Sequence, residues 1–482
     1  MQQRAAETRS SLRRSVRNLR RIKAVTAAAW PSPAMMQPTS LAARPVPRYT
    51  SYPTAPHFSG DVMPEHAAAW LAALPDDSLG SLYLHVPFCR ELCHYCGCHT
   101  KATRQDAPVA AYAETLADEI RLARRLIGRR LPVTTIHWGG GTPSILPADA
   151  FARLAGLIGE AFAIVEGAEH AIELDPRYVT ADLARGLAAA GVGRASLGVQ
   201  DLDPAVQAAI GRIQPTESVV AAVDRLRDAG IAALNFDLMF GLPHQTVDSI
   251  RRTADAVIAL APSRLAVFGY AHVPWMKTHQ RQIDEAALPG TEARLALEAA
   301  IRDRLVAAGY VAVGFDHFAR PDDSLAAASA EGRLKRNFQG YTTDPADVLL
   351  GFGASAISRL PQGYLQNVPA VGGWRRLVEE GRPPVARGHV FSGDDLMRAA
   401  VIERLMGDFC VDLEREAARH AVDPSVFRDD LAALAPLADK GLVAISGWRV
   451  SVPPAAHTLV RLVAAGFDAY RGSGRGRHAA AV

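Results

Sequence analysis

Residues 83–100 read YLHVPFCRELCHYCGCHT and hold four of the chain's five cysteines, Cys89, Cys93, Cys96 and Cys98. An apolar, β-branched run (82–86, LYLHV) passes almost directly into the thiols. A strand feeding a chemical loop suits parallel βα folds, whose sites gather at the carboxyl ends of the strands. Spacing then separates the thiols. Cys89, Cys93 and Cys96 form C-x3-C-x2-C. Zinc sites usually present paired C-x2-C or distant Cys/His ligands and close tetrahedrally, and a second pair is missing here. A thioredoxin-like site uses one C-x-x-C and leaves the other thiols unexplained. Iron–sulfur clusters take several thiolates from one short loop. Three thiolates on four irons leave one iron open to a substrate or cofactor, which is the logic of a catalytic cluster. A fully ligated carrier cluster would need Cys98, whose C-x-C bite from Cys96 is tight, because Cys410 lies in another segment. The open-site reading is preferred, with carrier and zinc sites as the alternatives.

Outward from this loop the chain alternates. Short apolar runs at 82–86, 134–138, 171–174, 195–199, 234–240 and 265–270 are separated by Ala/Leu/Arg-rich segments of helical period at 109–128, 147–164, 181–190, 216–229 and 247–260. This pattern predicts six parallel βα units forming a barrel or part of one, with a doubly wound open sheet as the second architecture. Polar or glycine-rich clusters follow the successive runs: the cysteine loop, GGGTPS, DPR, QD, GLPHQT and AHVP. They are expected to converge on one mouth. Beyond about 390, segments 394–408, 411–420 and 426–440 read as helices, 441–452 as a hairpin and 456–470 as a last helix, a small α-rich domain with a hint of a winged helix.

Hydrophobic residues make up 49% and charged residues 21%, the balance of a soluble globular chain. No apolar run approaches the roughly 18 residues of a membrane helix. The clustered thiols argue against a disulfide framework and for a reducing, cytoplasmic setting. The net charge of +3 arises in the first 34 residues, which carry eight basic residues and one acid. The remainder has 45 basic against 49 acidic residues, so no nucleic-acid footprint is expected. Leu12, Val16, Leu19 and Ile22 give that segment a transit-peptide-like pattern. A disordered arm, or a start at Met35 or Met36, is the preferred reading. The expected layout is a basic and Pro-rich extension (1–46), an arm (47–80), the barrel (81–320), a barrel-flanking connection (321–390), the α-rich domain (391–470) and a tail (471–482).

C-x3-C-x2-C after a strand resembles the radical S-adenosylmethionine (SAM) enzymes. The longer series is more specific: Y-x-H-x-P-F-C-x3-C-x2-C-x-C, HWGGGTPS, ELDPR, SLGVQD, NFDLMFGLPHQT, YAHVPWMKTHQ, GFDHFARPDD and RNFQGYTT. Together these resemble the oxygen-independent coproporphyrinogen III oxidases, from PRYTSYPTA (47–55) to about residue 470. The resemblance implies a partial (β/α)6 radical-SAM barrel with an N-terminal arm and a small C-terminal helical domain. It implies one [4Fe–4S] cluster on Cys89, Cys93 and Cys96, with the open iron chelating SAM. Cleavage of SAM would yield a 5′-deoxyadenosyl radical that abstracts hydrogen from the substrate. Related haem chaperones typically lack the fourth cysteine, so Cys98 favours the oxidase and is the candidate catalytic residue.

By the same resemblance two SAM molecules are held, Gly140 contacting one and Gly141 and Thr142 the other. Tyr83, Tyr95, Glu173, Gln200, Arg212, Asp237, Ala271 and Ile357 match further SAM-contact positions. From the residues alone, Tyr83 could equally be core, Glu173 a cap or ion pair, and Asp237 a structural hydrogen-bonder. His85 is expected to support rather than ligate, and His137, His244, His272 and His317 to be structural. A substrate with four propionates calls for arginine forks, and Arg48, Arg320 and Arg336 are candidates by chemistry. The implied reaction converts two propionates of coproporphyrinogen III to vinyls, with an electron donor such as flavodoxin or ferredoxin, in a monomer. A haem-binding chaperone on this fold, or a zinc or electron-carrying protein, is the competing function.

Overall fold

The computed structural model describes residues 38–472 and 478–482. The basic segment and both alternative start positions lie outside the described residues. Six strands succeed one another through the first two thirds of the chain: β1 (Gly80–Val86), β2 (Pro132–Gly140), β3 (Ala163–Leu174), β4 (Arg194–Gln200), β5 (Ala233–Phe240) and β6 (Arg264–Gly269). The helices between and after them are α1 (Ala107–Ile127), α2 (Ala148–Ala161), α3 (Ala181–Ala189), α4 (Thr216–Asp228), α5 (Val247–Ala259) and α6 (Thr291–Ala307). Each strand pairs in parallel with its sequence neighbour, in the order β1 to β6 without reversal. A doubly wound sheet needs a reversal of strand order at its switch point. The consecutive order therefore rules out the second architecture and fits the partial barrel.

The inner strands show why the sheet has one wet face. In β5 the apolar Leu234, Phe236, Leu238 and Phe240 are buried, and Asn235, Asp237 and Met239 alternate with them. In β4, Ala195, Leu197 and Val199 are buried, and Ser196, Gly198 and Gln200 point the other way. A period of two places the first set against the outer helices and the second on one inner face. Side chains of all six strands line a single cavity on that face, so the sheet curls around it. The helices begin and end on local signals. Thr180 and Thr246 cap α3 and α5 with their side chains, and Gly128 ends α1 at φ +77°.

The sheet continues beyond the six units. β7 (Val311–Val313) and β8 (His317–Ala319) follow α6, and β9 (Val348–Phe352), β10 (Ile357–Leu360), β11 (Gly363–Asn367) and β12 (Val385–Val390) come next. β8 lies antiparallel to β6, β9 lies parallel to β1, and β10 to β12 extend that edge as an antiparallel meander. The order is β12-β11-β10-β9-β1-β2-β3-β4-β5-β6-β8-β7. The segment expected as a barrel-flanking connection (321–390) thus supplies four strands. Glu119 of α1 ties it in, accepting hydrogen bonds from Gly353 N, Asn367 Nδ2 (2.6 Å) and Trp374 Nε1 (3.0 Å).

The C-terminal part contains helices Asp395–Asp408, Leu413–Arg419 and Arg428–Ala438, with a small sheet in which Arg449–Ser451 lies between Cys410–Asp412 and Ala444–Ser446. The expected hairpin is present with a third strand beside it. Its last helical stretch is short turns (Pro454–Leu459, Val460–Ala464, Ala465–Phe467) rather than one helix. The arm packs against this part. Tyr49 Oη donates to Asp468 (3.0 Å), and Ala469 N donates to Tyr52 Oη (3.0 Å). The expected tail does not end free: Ala480 bridges Pro45, and Ala481 and Val482 are buried.

Candidate active site

All four cysteines of the opening stretch line one cavity of about 640 Å3 at the carboxyl ends of the strands. Gly140, Gly141, Thr142, Glu173, Gln200, Arg212, Asp237, Ala271 and Tyr95 line it too. A second cavity of about 510 Å3 shares its walls at Arg48, Cys98, Glu173, Ser196, Asp237 and Phe268 and runs down the inner face of the sheet.

The GGG turn is strapped to the start of the cysteine loop. Gly141 N donates to Val86 O (2.9 Å) and Thr142 N to Phe88 O (2.8 Å). A Cβ at Gly141 would sit 2.5 Å from Phe88 O, and one at Gly140, held at φ +111°, would meet the His85 ring at 2.6 Å. Both positions require glycine for close approach. Sulfurs receive polar contacts: Thr100 Oγ1 lies 3.2 Å from Cys89 Sγ, Thr142 Oγ1 donates to it (3.5 Å), and Arg212 Nη1 donates to Cys93 Sγ (3.5 Å). Hydrogen bonds to sulfur are a protein's means of tuning an iron–sulfur cluster. The three-thiol loop, facing open space, fits such a cluster. Cys98 differs from its neighbours. It is exposed, whereas Cys93 is buried and Cys89 and Cys96 are half-buried, and it lies in the same cavity wall as Cys96.

Three carboxylates stand around the loop. Glu173 accepts from Gly140 N (3.1 Å) and His137 Nε2 (3.2 Å). Burial pushes it up, and these bonds outweigh burial to leave it below its ordinary range. Asp237 accepts from Ser196 Oγ (3.0 Å) and Asn235 Nδ2 (2.9 Å), and burial followed by the Glu173 charge raises it to about 6. The structural hydrogen bonds anticipated for Asp237 are present, and the carboxylate still faces the cavity. Asp175 pairs with Arg177 (2.7 Å) and Arg212 (3.3 Å), and Arg212 Nη2 also donates to Gly198 O (2.8 Å).

Two residues matched to SAM contact stand elsewhere. Tyr83 is not among the side chains lining the cavity. Its hydroxyl meets His85 Nδ1 (3.0 Å) and its ring stacks 6.0 Å from His137, behind Glu173. Ile357 opens β10, one strand beyond β9, and is likewise not in the wall. Of the arginine candidates, Arg48 and Arg336 line the inner cavity, whereas Arg320 is on the outside with Asp322 (3.5 Å).

The site has two supports, of which sequence reasoning expected His85 in the first and missed the second. His85 and His137, given no ligand role, hold Tyr83 and Glu173; burial lowers His85 to about 4, so it is neutral. The second support is a clamp after β6. Lys277 Nζ donates to Cys98 O (2.8 Å), His279 Nε2 to Cys96 O (2.8 Å) and Gln280 Nε2 to Tyr95 O (2.9 Å). Three side chains in four residues thus hold the cysteine loop by its carbonyls. The run of donors in WMKTHQ was the available signal.

The comparisons agree with this geometry. Residues 83–257 match the Radical SAM superfamily model. The chain is 52% identical over 437 residues to the oxygen-independent coproporphyrinogen III oxidase of Bradyrhizobium diazoefficiens, covering 91% of this chain and 97% of that one. The chain belongs to the oxygen-independent coproporphyrinogen III oxidases. The Paracoccus denitrificans member of this family is 45% identical over 438 residues, covering 91% of this chain and 96% of its own. The solved structure of the Escherichia coli coproporphyrinogen III oxidase, a radical SAM enzyme, superposes with a TM-score of 0.84 at 39% identity, covering 88% of this chain and 97% of that one.

Proposed function

We propose that this chain catalyses oxygen-independent oxidative decarboxylation of coproporphyrinogen III to protoporphyrinogen IX. The observation that carries this reading is the cavity shared by Cys89, Cys93, Cys96 and the strand-end residues Gly140, Glu173 and Asp237, with Cys98 in the same wall. Cys89, Cys93 and Cys96 would hold one [4Fe–4S] cluster. Glu173, Gln200, Arg212, Asp237, Ala271, Tyr95 and the Gly140–Thr142 turn would hold two SAM molecules, Tyr83 supporting Glu173 from behind. When bound, cluster and SAM together supply a one-electron cleavage that removes hydrogen from an unactivated carbon. The chain's own part is to present a propionate β-carbon, exclude water and keep the cysteine loop rigid. Loss of hydrogen from that carbon and of CO2 from its neighbour leaves a vinyl group and one electron, which passes to an acceptor. Two propionates react, each consuming one SAM.

Among the described residues no helix is long and apolar enough to cross a membrane. A cytoplasmic monomer served by flavodoxin or ferredoxin fits the reduced thiols. The test is anaerobic reconstitution with iron and sulfide, followed by coproporphyrinogen III, SAM and a reductant. Protoporphyrinogen IX with two 5′-deoxyadenosine per product is expected. Absence of both products refutes the reading. Haem binding with no SAM cleavage in the presence of substrate would instead establish a chaperone.

A further inference from the structure

Away from the cysteines, the cavity wall becomes rich in arginine. Arg48, Arg294, Arg336 and Arg461 surround a small space of about 40 Å3 next to the main cavity, with Arg48 common to both. That exceeds the roughly 10–15 Å3 that one water needs. Arg336 is paired with Asp316 (3.0 Å), and Glu298 in the same wall is paired with Arg302. The other three have no side-chain carboxylate within ion-pair distance among the described residues. Their partners are main-chain oxygens. Arg48 Nη2 donates to Gly269 O (3.0 Å), and Arg294 donates to Tyr270 O (2.8 Å) and the Val482 oxygen (3.1 Å). Arg461 donates through Nη2 alone, to Ala480 O (3.0 Å) and Ala481 O. It is only 7% exposed, and its Nε and Nη1 have no partner. Burial and then Arg48 bring Arg294 down to about 10 and Arg461 to about 9, a sign of cations crowded without enough anions.

We propose that Arg48, Arg294 and Arg461 form the site for a propionate carboxylate of the tetrapyrrole, with the main chain of residues 480–482 holding donors of Arg294 and Arg461 until substrate displaces it. This rests on the substrate proposed above. Hydrogen bonds between ions are roughly twice as strong as those to neutral acceptors, so a carboxylate is the better partner for the Arg48 and Arg461 donors now served by peptide carbonyls. Arg48 joins the two spaces, so a carboxylate held here would belong to a molecule that reaches the cysteine loop.

The probe is coproporphyrin III, the oxidised and fluorescent form of the substrate, titrated against the reconstituted holoenzyme. Its tetramethyl ester is the uncharged control. Arg461→Met and Arg294→Met should each weaken coproporphyrin III binding about tenfold or more, a change of ~1.4 kcal/mol. Ester and SAM affinities should change less than about twofold, and Arg461→Lys should recover part of the loss. Unchanged coproporphyrin III affinity in both Met variants, or loss of SAM affinity instead, would overturn the proposal. Should burial of Arg461 make its Met variant lose the cluster absorbance, Arg48→Met on the arm decides by the same titration, unchanged affinity again overturning it. A wild-type enzyme that neither binds the porphyrin nor converts coproporphyrinogen III would fail the functional reading itself. An active wild type whose Met variants keep its KM would fail only this one.

Discussion

Gly141→Ala should disable the enzyme through one methyl group. Gly141 carries no positive φ, so backbone strain does not enter. The added Cβ would lie 2.5 Å from Phe88 O and 2.6 Å from Thr100 Oγ1. Ordinary contact begins near 3.4 Å, so the GGG turn and the cysteine loop must part by about 0.9 Å. Phe88 O is main chain and accepts from Thr142 N, so it cannot rotate aside. Two hydrogen bonds weaken together, Gly141 N to Val86 O and Thr142 N to Phe88 O, each worth about 0.5–1.5 kcal/mol. The expected stability loss is therefore about 1–3 kcal/mol. Cys89 moves with Phe88, and a displacement near 1 Å at a reacting centre costs on the order of 100-fold in rate. The assay is anaerobic 5′-deoxyadenosine release per cluster, with a urea midpoint for stability. Gly156→Ala in α2 is the control, because nothing lies within 4 Å of its Cβ. That change should add roughly 0.5–1 kcal/mol and leave turnover alone. A Gly141→Ala enzyme with wild-type turnover and wild-type stability would refute the close-approach argument.

Cys98→Ser should retain cluster iron while losing product formation, and Cys89→Ser, Cys93→Ser and Cys96→Ser should each lose iron on anaerobic metal analysis. Removing the clamp with His279→Ala or Gln280→Ala takes one carbonyl bond of about 1 kcal/mol from the cysteine loop; iron loss to a chelator should become several-fold faster, with no change in strand content by circular dichroism. Glu119, raised to about 7 by burial, keeps in the fold a proton that the unfolded chain releases near 4.5, so stability should fall as pH rises from about 4.5 to about 7. The slope should total on the order of 3 kcal/mol and vanish in Glu119→Gln, measured by urea unfolding of cluster-free protein at pH 5 and pH 7.5.

The parts legible in the sequence are those with a local period or spacing. The alternation in NFDLMF and ASLGV set both the strands and their wet face, and C-x3-C-x2-C followed a strand end as parallel folds require. The extension after residue 346 escaped because β9 to β12 are short strands with no βα rhythm; the parallel pairing of β9 with β1 is long-range, and β10 to β12 follow it as an antiparallel meander. The role of 478–482 escaped for the same reason, since a five-residue segment gains meaning only from Pro45, Arg294 and Arg461. Tyr83 illustrates a different limit. Matching placed it at SAM, and pattern alone could not show that its hydroxyl meets His85 and its ring stacks near His137. The clamp at 277–280 showed only its donors in WMKTHQ, because its partners are backbone carbonyls, which leave no mark on composition.

The cavity also has a direction. Around the cysteine loop stand Glu173, Asp175 and Asp237, with Arg212 as the cation engaged with Asp175. Around the far end stand Arg48, Arg294 and Arg461 without side-chain carboxylate partners among the described residues. A cationic sulfonium and ammonium group is favoured at the first end, and the propionates of a tetra-acid at the second. Anchoring one propionate at the arginines leaves another, on a different ring, to face the thiols. The same asymmetry makes Asp237 informative. The Glu173 charge already raises it to about 6, so a cation bound between them should lower it again. Added SAM should therefore shift the Asp237 carboxylate signal downward in a pH titration of labelled protein, and an unmoved midpoint would place the bound cation elsewhere.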